Sequence, residues 1–116
     1  MWRSKGASAE HLAKDFLTKK GLKPVTNNYR CKVGEIDLIM STDETLVFVE
    51  VRHRSKENHG TAAESITRHK QKKIIKAAQH FLQRHPKWQS SPCRFDVMVA
   101  TNPDCEFQWI KDAFTL

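Results

Sequence analysis

The sequence predicts an α/β domain in which a mixed sheet is flanked by helices, and three observations carry that prediction. Apolar residues recur at helical spacing twice, near the start of the chain and again after residue 65. Short runs rich in Val, Ile, Leu and Phe lie between and after these segments, bounded by turn residues. The resulting order is helix, three strands, helix, two strands. No βα unit repeats, so the strand directions are mixed and the sheet is not doubly wound. With 116 residues the chain can bury one real core and is too short for two, so residues 1–116 read as a single domain.

The first helix is expected on Ala9, Leu12, Ala13, Phe16 and Leu17, with Gly21 as a stop signal just past Lys19 and Lys20. Glu10 lies at the edge of that stripe, beside Ala13 and Leu17. Pro24 and the run Thr26-Asn27-Asn28 mark a connection, and "VTNNYRCK" is a less regular strand candidate. "GEIDLIM" is a strand, "STDET" a turn and "LVFVEVRHR" the returning strand, which together read as a hairpin. Residues 55–64, "SKENHGTAAE", lose all periodicity and read as a loop. A long helix follows from Ser65 or Thr67 to Arg84, stopped at His85 and Pro86. "CRFDVMVA" is the next strand and "CEFQWI", after the "TNPD" turn, a shorter one. There is no internal repeat, low-complexity tract or linker.

Composition excludes several classes. No apolar run approaches the ~20 residues that span a bilayer, and the start has positive charge without a following apolar block, so it does not read as a signal peptide. Cytoplasm is the expected compartment. Cys31, Cys93 and Cys105 are an odd, widely spaced set without CxxC, which argues against a disulfide framework and against a cysteine zinc site. The histidines lack compact ligand spacing. Twenty Lys and Arg against 13 Asp and Glu give a net charge of +7, concentrated between Arg52 and Arg84, and make a polyanion a plausible partner.

Within the hairpin the charges are oddly placed. Alternation puts Glu35, Asp37 and Ile39 on one face of the first strand and Ile36, Leu38 and Met40 on the other. In the second strand Leu46, Phe48, Glu50, Arg52 and Arg54 oppose Val47, Val49 and Val51. Pairing the two apolar faces gathers Asp37, Glu50 and Arg52 on the other side. Two carboxylates ~4 Å apart repel by about 4 kcal/mol at an effective dielectric near 20. Such a pair shares a proton, gains a cationic neighbour or holds a hard ion such as Mg²⁺ or Mn²⁺. The plainer alternative is a Glu50–Arg52 ion pair at a strand end with Asp37 in solvent. Lys70, one turn from both Ile66 and Ile74, lies on the apolar stripe of the second helix. It either snorkels at the core rim or reaches the carboxylates or a neighbouring phosphate, while Lys72, Lys73 and Lys76 flank it.

The blocks "GEIDLIM", "LVFVEVRHRS", "SITRHKQKKIIKAAQHFL" and "CRFDVMVA", in this order and after the opening "GASAEHLAKDFLTKKG", resemble the YraN family of small uncharacterised bacterial proteins. That family in turn resembles the PD-(D/E)xK nuclease superfamily and is similar in core to archaeal Holliday-junction resolvases. The resemblance implies a restriction-endonuclease-like αβββαβ core. It makes Asp37 and Glu50 the metal-binding acids, with the Val51 carbonyl, for Mg²⁺ or Mn²⁺. Glu10 matches a first-helix glutamate that such nucleases add to the metal site, and Glu35 is a further candidate ligand. Arg52 stands where the pattern has lysine. Arginine keeps the charge but cannot act as a base, so Lys70 is the candidate replacement amine. Lys70 and Gln71 match the "KQ" of YraN-type sequences.

The leading expectation is a metal-dependent nuclease or nuclease-like protein acting on DNA, with branched or structured DNA as a candidate substrate. Asp37, Glu50, Arg52 and Lys70 are its candidate catalytic residues. Arg54, Lys56, Lys70 and Lys73 are candidate contacts to nucleic acid, with His59 in the same loop. Cutting both strands would favour a homodimer. A non-catalytic nucleic-acid-binding module on the same fold is the alternative, and a protein-interaction subunit with solvated charges is the third.

Overall fold

In a computed structural model the chain forms α1 (Lys5–Lys19), β1 (Lys23–Cys31), β2 (Gly34–Thr42), β3 (Thr45–Arg54), α2 (Arg68–Arg84), a 3₁₀ turn (Pro86–Trp88), β4 (Cys93–Thr101) and β5 (Glu106–Phe114). The structure describes residues 5–54, 66–101 and 106–115, with side chains described from residue 9 onward and not at 54 or 101. The expected loop contacts Lys56 and His59, and the side chain of Arg54, lie outside the described residues.

The element order is the one read from the sequence, helix, three strands, helix and two strands, which is the αβββαβ core with one strand after it. The five strands form a single sheet in the order β1-β2-β3-β4-β5. β1, β2 and β3 are antiparallel neighbours, β3 and β4 run parallel from Leu46↔Cys93 to Arg54↔Thr101, and β5 returns antiparallel. A parallel pair needs a crossover, and α2 lies in the connection that provides it.

Each helix covers one face of the sheet. Ala13 and Leu17 of α1 pack on Leu38, Met40, Val47, Val49 and Met98. Ile74, Ala77, Ala78 and Phe81 of α2 pack on Ile36, Ile39, Leu46, Phe48 and Phe95. Leu12, expected in the α1 stripe, is an exposed large hydrophobic residue, so the buried stripe is the narrower 9-13-17 row. α2 begins where the sequence places it: Thr67 is the N-cap, its side-chain oxygen accepting from Lys70 N at 3.1 Å. β1 is a full edge strand, with Asn28 at φ 55°, a conformation asparagine adopts more readily than most residues. β5 extends beyond "CEFQWI" to Phe114.

One expectation about sidedness is corrected. Ile36 does not share a face with Leu38 and Met40. It packs with Ile39 on the α2 side, while Leu38 and Met40 pack on the α1 side. Alternation therefore breaks between Ile36 and Leu38, at Asp37. The β2–β3 ladder also stops there, its last pair being Leu38↔Val49. A local irregularity of this kind reorients side chains without altering composition, so periodicity does not reveal it.

A second buried carboxylate, Asp96 on β4, went unmarked in the sequence although it too interrupts an apolar strand. Its exposure is 1%. It accepts from Arg94 Nε at 3.0 Å, from Trp109 Nε1 at 2.9 Å and from the main-chain N of Asp112 at 2.9 Å. Asp112 has φ 53°, and the β4–β5 register shifts between Phe95 and Val97. Asp96 thus pins the bent end of β5, a structural role with every acceptor used.

Gly34 begins β2 against α2. A Cβ there would stand 2.8 Å from the carbonyl oxygen of Lys73, and a helix backbone has no rotamer with which to yield. Gly34→Ala is expected to destabilise the fold by about 1–3 kcal/mol in urea unfolding. Asp96→Ala, which strands Arg94 and two N–H donors, is expected to cost about 3 kcal/mol in the same measurement.

Candidate functional site

β3 keeps its alternation through the point where β2 departs, and this brings the polar end of β3 together with two other elements. Leu46 and Phe48 face α2, so Glu50 and Arg52 face it as well. Glu50 is 6% exposed. Its Oε2 lies 3.3 Å from Lys70 Nζ on α2 and 3.6 Å from an Arg52 guanidinium nitrogen. Lys70 is therefore aimed at the carboxylate, with its side chain 48% exposed on the outer side. Arg52 reaches the same oxygen from its own strand. Gln71, the other half of the "KQ" pair, donates from Nε2 to the Ile66 carbonyl at 3.0 Å, tying down the entry to α2.

Asp37 fills the gap left by the parted strands. Its Oδ2 accepts from the main-chain N of Val51 at 2.9 Å. The ladder partner that β2 would have offered is absent at this position, and an unpaired main-chain donor in such a place is costly. Glu10, on the buried row's edge of α1, lies within electrostatic reach of Asp37. Acids from α1, β2 and β3 thus meet in a chain: Glu10 beside Asp37, and Asp37 within electrostatic reach of Glu50.

The crowding shows in their protonation. Burial first, and then the Asp37 carboxylate, push Glu50 up to about 7 against the opposing pull of Lys70 and Arg52. Burial, Asp37 and Glu35 push Glu10 up to about 6, and Arg30 pulls the other way. Both acids are thus held above their usual range by burial first and by the Asp37 charge second.

Of the residues singled out in the sequence, Glu10, Asp37, Glu50, Arg52 and Lys70 come together. Glu35 is exposed, 3.7 Å from Arg30, and touches the cluster only through its repulsion of Glu10. Lys73 lines a groove between α2 and the β1–β2 turn, away from the carboxylates' centre. Among the described residues no three His, Cys, Asp or Glu side chains converge as closely as the ligands of a metal ion do. Arg30 was not anticipated; its opposition to Glu35 follows from the β1–β2 register, Arg30↔Glu35, which becomes readable only once β1 is known to be a strand.

Residues 9–100 match the model of an uncharacterised protein family, UPF0102. A UPF0102 protein of Saccharophagus degradans is 53% identical over 111 residues, covering 96% of this chain and 92% of the relative. One from Aeromonas hydrophila is 54% identical over 114 residues, covering 96% and 85% respectively. One from Methylobacillus flagellatus is 50% identical over 111 residues, covering 95% and 96%. Among the described residues no helix is long and apolar enough to cross a membrane.

The shift of Glu50 has a testable sign. A carboxylate whose folded pKa is raised contributes stability that is present below the unfolded value of 4.5 and is lost as pH rises through about 7. Glu50→Gln mimics the protonated form. Relative to wild type its stability is expected to rise between pH 5 and pH 8 by on the order of 2 kcal/mol, read from denaturant unfolding at each pH.

Proposed function

The chain belongs to UPF0102, a family whose description names no activity, and from its own residues we propose that it is a metal-dependent nuclease hydrolysing DNA phosphodiester bonds, with Asp37 and Glu50 holding Mg²⁺ or Mn²⁺. The observation that carries this reading is the pair of acids on parting strands, Asp37 bound to the Val51 N–H and Glu50 buried beside it, with Lys70 3.3 Å away. The donor set fits such an ion. It consists of carboxylate oxygens alone, and Glu50 and Glu10 are raised by burial and, second to it, by the Asp37 charge, the part that a divalent cation relieves. Glu10 stands near Asp37 as an outer carboxylate in this reading, since no three acids converge as closely as bound ligands do among the described residues, and Glu35 lies further out.

When bound, a divalent ion supplies positive charge at the phosphoryl group and acidifies the attacking water. The chain's own side chains do the rest. In hydrolysis a water oxygen bonds to phosphorus, the bond to the leaving sugar oxygen breaks, and that oxygen ends protonated. Lys70 presents an ammonium with three donors from the solvent side of Glu50, where the phosphoryl oxygens gain charge. Arg52 holds a permanent charge on the same carboxylate and takes no part in proton transfer. Asp37 keeps β2 and β3 at the spacing that sets the two acids side by side. Cleaving both strands of a duplex or junction takes two such sites, so the proposal includes a symmetric homodimer, and the cytoplasm as the compartment where chromosomal DNA is met.

A non-catalytic nucleic-acid-binding module is the second reading. It draws on the two cations already on Glu50 Oε2 and on the lack, among the described residues, of three converging ligands. Cleavage assays on branched and linear DNA separate the two. The proposal expects Mn²⁺-dependent cleavage that chelator abolishes, that Asp37→Ala and Glu50→Ala each lower by at least about 100-fold, and that Lys70→Ala lowers by about 10- to 100-fold. DNA left intact with every divalent metal, alongside salt-sensitive binding, would favour the module.

A further inference from the structure

α2 carries a second pattern beside its apolar stripe. His69, Lys73, Lys76, His80 and Arg84 follow one another at spacings of four, three, four and four residues, which places them on one face. The helix contains no Asp or Glu, so no acid within it offsets this row. The row faces the β1–β2 turn across a groove of about 860 Å³ whose lining includes Arg30, Lys32, Lys70, Lys72, Lys73 and Lys76. The groove continues past the turn into a second depression of about 740 Å³ lined by Lys32, His80 and Arg84 among others. Glu35 is the acid on this lining, and Arg30 lies 3.7 Å from it.

The two walls are fixed relative to each other. Gly34 touches the α2 backbone at Lys73, leaving no room for even a methyl group. At the far end the Tyr29 hydroxyl bonds to His80 Nδ1, and Arg84 Nε donates to His80 Nε2 at 3.4 Å. Tyr29 also packs edge-on against Phe81, with ring centroids 5.2 Å apart. A strand and a helix tied at both ends hold the cations at set positions without prior ligand, which lowers the cost of ordering them on binding.

We propose that this groove, running from Lys70 along α2 to Arg84 and walled by the β1–β2 turn, binds the phosphate backbone of a nucleic-acid strand leading away from the carboxylate site. The proposal deepens the nuclease reading by giving the substrate a path, and it rests on that reading for the position of the cut. From Lys70 to Arg84 the helix spans about 21 Å, the axial length of about six nucleotides at roughly 3.4 Å each. A row of cations of that length matches a regularly charged polymer. Tyr29, the aromatic ring on the described lining, is already engaged by His80 and Phe81, and cations dominate the rest, so the contact is to phosphates and is independent of sequence. Val33, an exposed apolar residue at the turn beside Lys32, gives the sugars an apolar contact.

Lys32→Glu/Lys76→Glu reverses one charge on each wall, and Lys19→Glu/Lys111→Glu makes the same change in net charge on α1 and β5. Binding of a fluorescent oligonucleotide is followed by anisotropy over a salt series, with chelator present and no divalent metal, after thermal melts have established that both variants fold. The groove variant is expected to bind at least about tenfold more weakly at low salt. Its slope of log K against log salt is expected to fall by about 1.4 to 1.8, the share of two phosphate contacts, while the control pair binds close to wild type. Equal losses in both variants, an unchanged groove variant, or polyglutamate binding as tightly as the oligonucleotide would each overturn the proposal. Since metal is withheld, a failure to cleave DNA under any metal bears on the Asp37–Glu50 reading alone.

Discussion

The hydrogen bond from the Val51 main-chain N to Asp37 Oδ2 is the constraint on which the candidate site depends. β3 must stay straight to pair in parallel with β4 along its whole length, whereas β2 leaves it after Leu38↔Val49. Parting two central strands exposes main-chain donors and acceptors, and each one left unpaired and out of water costs about 1–3 kcal/mol. A side-chain acceptor at the branch point removes part of that penalty and fixes the carboxylate beside Glu50 at the same time. Asp37 is thus both a structural link and a member of the charge cluster. One residue joins the sheet's geometry to the site's chemistry.

Around this branch point the electrostatics divide by face. On the α1 side stands Glu10, close enough to Asp37 to feel its charge. On the α2 side stand Lys70 and Arg52, both on Glu50. Burial, aided by repulsion from Asp37, keeps Glu10 and Glu50 above their usual range despite the cations. The cations on the α2 side continue outward as the basic row of that helix. A strongly basic groove leading to a compact acidic centre is an arrangement in which a polyanion is attracted as a whole, while the acids repel it locally unless a divalent ion lies between. In the proposed function affinity rests on the basic row and chemistry on the acids, with Lys70 common to both.

Much of this was legible in the sequence, for specific reasons. Periodicity puts Glu50 and Arg52 on one face of β3 and Lys70 on the inner side of α2, and their meeting follows because both elements are regular and project side chains at fixed periods. The hairpin followed from two apolar runs separated by "STDET", where Asp43 takes φ 52°. Ile36 was assigned to the wrong face because the break at Asp37 is an event of pairing, driven by where β3 must go, and leaves no trace in the hydrophobic pattern. Asp96 carried the same visible signal as Asp37, an acid within an apolar strand. What separates a satisfied structural acid from a crowded one is its partners: Arg94, Trp109 and Asp112 come from β4 and β5 and meet only in the fold. The basic row of α2 was hidden behind its apolar stripe, and its opposing wall depended on recognising β1 as a strand.

The central claim is that the Asp37–Glu50 pair is a cation site, and calorimetric titration of Mn²⁺ into wild type and Glu50→Ala, in buffers of different ionisation enthalpy at pH 7, tests it most directly. The account predicts stoichiometric binding by wild type with release of protons, because Glu50, raised to about 7, gives up its proton to a cation, and loss of that binding in the variant. Absence of binding by wild type, or binding of equal strength and proton release in Glu50→Ala, would contradict it.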